Sequence, residues 1–216
     1  NVAATAHVGG NALVYGTALV DDCARITNAA RVYDEAHVLD LAEVGDNAKV
    51  YGRAQVGDRA KVVGRAEVYD DALILGCSAV YGHAKVYGNA RVEAVSSVAD
   101  SARVRGKAAL KDQAFVGGNA QVSGDATLHG KARVGGNSHL SGSARIGGEA
   151  KVSGNAVIKG DACITGRAQV EDNAEVCEKA LLKGDARLMG NAIVSGASTI
   201  AGFVTVGGRA RGSGST

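Results

Sequence analysis

The segment Val122-Ser123-Gly124-Asp125-Ala126-Thr127-Leu128 contains the rule that governs the whole chain. An aliphatic residue is followed two places later by Gly, four places later by Ala, and six places later by the next aliphatic residue. Stepping by six from Val2 to Val206 meets 24 Val, 6 Ile and 5 Leu, and no other residue type. Only 46% of the chain is hydrophobic, so composition does not generate such a column. The position four after each aliphatic residue is Ala in 30 of 35 cases, with Ser78, Ser96, Ser138, Ser198 and Val204 in the others. The position two after it is Gly, Asp or Asn in 32 of 35, the exceptions being Ala4, Ala94 and Glu178.

This spacing has a direct physical reading. Ala120 and Val122 are two residues apart and project from one side of a short strand, with Gln121 on the other. Gly, Asp and Asn fall where the chain bends, because they tolerate positive φ. Each hexad is thus a very short strand and a corner, with Ala where only a small side chain fits. A helix is excluded, since a six-residue period with a recurring Gly matches no helical repeat.

The tyrosines set the number of hexads per coil. Tyr15, Tyr33, Tyr51, Tyr69 and Tyr87 are each 18 residues apart. Three hexads per coil predict a triangular prism with these rings in one outward column. Just under twelve coils, stacked at about 4.8 Å, predict a rod roughly 55 Å long. The pattern, with its Gly88-Asn89-Ala90-Arg91-Val92 wording, resembles the hexapeptide-repeat family of left-handed parallel β-helices. The likeness is strongest to bacterial G-N/D-A-x-V repeat proteins of unassigned function. It covers residues 2 to about 211 without an inserted loop, and the left hand is implied by the resemblance alone. The expected organisation is one all-β solenoid over 1–211, followed by a flexible Gly/Ser tail over 212–216.

Composition removes several function classes. Twenty-four Lys and Arg against 22 Asp and Glu leave a net charge of +2, so no bulk polyanion-binding imbalance exists. Basic residues are interleaved with acids, and no nucleic-acid partner is expected. No apolar run approaches the roughly 20 residues of a membrane helix, and no membrane partner is expected. The absence of Trp and the presence of only two Phe predict an interior of small aliphatic groups. Cys23 and Cys77 share a column three coils apart, roughly 14 Å at the coil spacing, which is too far for a disulfide. Free thiols and the lack of a visible leader point to the cytoplasm.

Chemistry is sparsely encoded. The family resemblance implies, for its acyltransferases and zinc carbonic anhydrases, a His-based site in a cleft between trimer subunits. His7, His37, His83, His129 and His139 all fall in different columns of the 18-residue lattice. His83, beside Tyr81 and Tyr87, and His129, in the column of Lys111 and Lys183, are the only candidates for a catalytic role. Neither has an acid–base partner at a telling spacing. No His, Cys and carboxylate cluster converges, so no metal and no cofactor is expected.

Apolar residues at outward positions carry the remaining signal. Leu13, Leu19, Leu39, Val63, Leu73 and Leu75 join the tyrosines in the first 90 residues. Such a strip predicts contact with another chain, either in a trimer or in a side-by-side bundle. Phe203 and Val204 break the hexad rule and predict an apolar plug over an otherwise uncapped end. The resulting expectation is a non-catalytic rod for structure, scaffolding or assembly, self-associating through the strip or its ends. The alternative is a trimeric acyltransferase with an acyl-CoA-type donor.

Overall fold

The computed structural model describes residues 1–214 and is built entirely of strands and corners. Three parallel sheets of 12, 12 and 11 strands form the walls of a solenoid, and each strand pairs with the one 18 residues on. Face I carries His7–Val8, Arg25–Ile26 and onward to Thr205–Val206. Face II carries Leu13–Val14 through Arg211–Gly214, and face III carries Leu19–Val20 through Thr199–Gly202. Most strands are two residues long, one pointing out and one in, because the corner begins at the next residue.

Burial follows the hexad rule. Every inward aliphatic residue from Val20 to Val194 is buried, as is every small residue from Ala18 to Ala192. The three buried serines keep their hydroxyls satisfied by backbone carbonyls. Ser96 Oγ donates to Glu93 O at 2.6 Å and Ser138 Oγ to Gly135 O at 2.8 Å, while Ser78 Oγ donates to Val92 O. That is why Ser can replace Ala in this column without an orphaned polar group.

The corners are held by a device that the hexad alone does not reveal. Every sixth residue from Gly10 to Gly208 has positive φ. Nine of these are Asp, and each turns its carboxylate along the axis to accept the N–H of the corner residue one coil ahead. Asp58 does so from Gly76 N at 2.8 Å, and Asp100 from Gly118 N at 2.7 Å. Glu178 reaches Gly196 N in the same way. Local hydrogen bonding thus offsets the cost of a left-handed side-chain residue. A second ladder joins corners between faces I and II. Asn119, Asn137, Asn155 and Asn173 each donate an amide N–H to the amide oxygen of the asparagine one coil on, the last being Asn191, at 3.0 to 3.1 Å.

Along the sides of the rod the strand edges are closed, since each strand pairs with the coils above and below. The last wall strand, Arg211–Gly214, pairs with Ile193–Gly196. The repeat therefore continues three residues into the segment expected to be tail, because Gly212 and Gly214 still support backbone pairing. The rest of that segment, 215–216, lies outside the described residues.

Candidate interaction face

Tyr15, Tyr33, Tyr51, Tyr69 and Tyr87 follow successive strands of face II and stack as one ladder. Centroids are 4.8–5.0 Å apart and ring planes differ by 1° to 7°. The separation matches the coil rise, so the wall itself imposes the stacking. Tyr33, Tyr51 and Tyr69 have hydroxyl pKa values pushed above the ordinary tyrosine range. Burial is the largest cause, and the neighbouring rings and acids add to it. These hydroxyls remain neutral donors across the physiological range.

Beside the ladder runs the outward column of the same strands: Arg31, Lys49, Glu67, Lys85 and Arg103, in register coil to coil. Glu67 is held between Lys49 at 3.3 Å and Lys85 at 2.8 Å, with its side chain 19% exposed. Burial pushes this carboxyl up, but hydrogen bonds from Lys85 and Lys49 outweigh it and leave the pKa lowered. A lowered carboxyl contributes stability above its unfolded pKa and loses it as pH falls through the folded value. Glu67→Gln should therefore destabilise the fold at neutral pH, by up to roughly 1 kcal/mol per ion pair, seen as a lower Tm. The gap should close below the ordinary carboxylate range. Circular dichroism melts across pH check this, and a gap independent of pH contradicts the ion-pair account.

His83 lies across the corner from this column. With Asn47, Lys49, Arg65, Glu67 and Lys85 it lines a groove of about 330 Å³. The column joining Arg65 to His83 also contains the asparagine ladder. His129 is remote, on face III, and its ring covers the backbone of Gly147. The two candidate histidines are thus not brought together. Among the described residues no three His, Cys, Asp or Glu side chains converge as a metal site would require.

The leucines stand apart from the tyrosines. Leu19 and Leu73 lie in face III strands, while Leu39 and Leu75 directly follow such strands, and all four are half-buried. A corner separates this face from the ladder, so the Tyr and Leu residues form two surfaces. Leu39 and Leu75 border the next corner, where Leu41 is 56% and Val95 61% exposed. Cys23, Asp40, Leu41, Asp58, Arg59, Gly76 and Cys77 line a groove of about 500 Å³ there. Sequence reading missed Leu41 and Val95, although both share the 18-residue column of Cys23 and Cys77. All four cysteines are free thiols.

Phe203 and Val204 do not close the end of the rod. Phe203 is 89% exposed because it occupies the corner-tip position of Arg167 and Asp185, from which side chains point outward. A scan against protein-family models and a search of curated proteins each returned no match.

Proposed function

We propose that this protein is a non-catalytic rigid rod that assembles side by side with a second copy of itself. The observation that carries this reading is the exposed apolar flank at the corner of faces III and I. Leu41 and Val95 protrude there beside Leu39 and Leu75, on a wall that no loop interrupts. Water penalises exposed apolar side chains gathered on one flank, and a second surface relieves that penalty. The groove also carries its own complement. Arg59 directly follows Asp58 at one corner, one coil beyond Asp40, and makes no ion pair among the described residues. Two rods laid antiparallel about a two-fold axis would set each Arg59 against the other's acids. The self-stacked tyrosine ladder would act within such a rod as a stiffening rib.

Light scattering on the purified chain tests the reading. Wild type should run as a dimer or larger species, and Leu41→Lys with Val95→Lys should reduce it to one chain with its melting temperature kept. An unchanged mass removes the flank from the assembly. A trimer whose cleft sets a carboxylate against His83 or His129 would overturn the rod reading in favour of an acyltransferase.

A further inference from the structure

The two exposed cysteines at the corner between faces III and I are placed as a pair. Cys23 and Cys77 stand in one column, with Leu41 and Arg59 on the coils between them, and the two thiols mark the two ends of the same groove of about 500 Å³. Columns run straight along the axis, since successive tyrosine rings differ by no more than 7°. Over three coils the two cysteines are held about 14 Å apart at the strand spacing. A disulfide needs Cα atoms within about 7 Å, so Cys23 cannot reach Cys77 of its own chain. Both are free thiols. A second copy of the chain brings another such pair to the same place.

We propose that Cys23 of each copy forms a disulfide with Cys77 of the other, locking two antiparallel rods through a symmetric pair of bridges. This rests on the side-by-side reading above and fixes its register. A two-fold axis through the middle of the groove, between the coils of Leu41 and Arg59, maps the groove onto itself end for end. Arg59 then comes level with Asp40 and Leu41 of the second copy. Its guanidinium can bridge that Asp40 and the Asp58 of its own chain, while its methylene stem meets the leucine. The same operation sets Cys23 level with the second copy's Cys77, so one register serves the ion pairs and both thiol pairs. A parallel pair would instead set Asp40 against Asp40, at a corner of Leu39, Asp40 and Leu41 that holds no cation. The oxidant is a small-molecule disulfide. The Cys23 thiolate attacks one of its sulfurs and releases a first small thiolate. The Cys77 thiolate of the second copy then attacks the Cys23 sulfur, forming the bridge and releasing the second. Each bridge thus reduces one small disulfide to two thiols, which take up the two protons the cysteines lose.

The test treats the full chain with glutathione disulfide, in a Cys163→Ser background that leaves the two corner thiols exposed and Cys177 buried. Non-reducing electrophoresis should show a covalent dimer that a thiol reductant reverses, and peptide mapping should find Cys23 joined to Cys77. Cys23→Ser and Cys77→Ser should each abolish the dimer, because either bridge needs both residues. Mixing the two variants should restore it, through one bridge from the Cys77 left in one chain to the Cys23 left in the other. Leu41→Lys with Val95→Lys should slow bridging at least about tenfold, since assembly holds the thiols at roughly millimolar effective concentration. The inference is overturned by Cys23–Cys23 or Cys77–Cys77 peptides, by a single variant that still bridges, or by chains that carry only glutathione. Light scattering of the reduced chain keeps the two readings apart. A reduced dimer that forms no Cys23–Cys77 bridge sinks the thiol pairing and leaves the side-by-side rod. A reduced chain that stays single removes the side-by-side reading together with the pairing that rests on it.

Discussion

Val122→Asp removes the cooperative unfolding transition of the central coils, at a cost on the order of 5 kcal/mol. Val122 is fully buried and stands in register with Val104 one coil before and Leu140 one coil after. The interior around it is aliphatic and Ala, so a carboxylate there finds no donor and must be neutralised or expelled. Expulsion inverts the strand and sends Gln121 inward. Because each coil touches only its neighbours, the damage is local in origin and divides the stack in two. Urea unfolding followed by circular dichroism should change from one transition to two, and limited proteolysis should cut near residue 122. The outward neighbour supplies the control: Gln121→Asp should stay within about 0.5 kcal/mol of wild type. If Val122→Asp unfolds like Gln121→Asp, the inward assignment of the aliphatic column is wrong.

The wall was legible in the sequence because its construction is local and repeated. Val, Ile and Leu at every sixth position, Ala four places later and Gly or Asp at the bend each report a constraint felt inside one hexad. The 18-residue spacing of Tyr15 to Tyr87 added the one non-local fact required, the number of hexads per coil. Surfaces were read less well, since a surface is assembled from columns and each column must be followed separately. Asn119 to Asn191 repeats at the same 18-residue interval as the tyrosines, and the same test applied to it reveals the amide ladder. Leu41 and Val95 sit at corner tips, which the in-and-out alternation of the strands does not reach. Leu39 and Tyr51 are both outward, but a corner lies between their faces, and linear alternation does not distinguish one face from another. Phe203 was read as a plug from its bulk, whereas its place in the hexad, directly after the left-handed residue, already directs it outward.

The corners allow a sharper experiment, because two substitutions at one glycine should diverge. Gly136 has φ of 65°, and a Cβ there would lie 2.6 Å from the carbonyl oxygen of Gly154 and 2.7 Å from its nitrogen. Any side chain must therefore push the next coil up slightly. Native corners show that the stack can yield: Asp22, Asp40 and Asp58 occupy three successive coils of one column, each at positive φ. Their carboxylates give something in return, since each accepts the N–H of the next corner residue. Gly136→Asp should do the same with Gly154 N, as Asp172 does with Gly190 N at 2.9 Å, and should cost roughly 1 kcal/mol or less. Gly136→Val has the same Cβ with a second branch and no acceptor. It incurs the left-handed penalty of about 1–2 kcal/mol and a steric term of about 1–3 kcal/mol against neighbouring backbone. The two variants should thus differ in stability by at least about 2 kcal/mol, read from their urea midpoints at unchanged slope. Equal midpoints would mean that the corner asparates are tolerated there only because they are small, and that their axial hydrogen bonds contribute nothing to the stack.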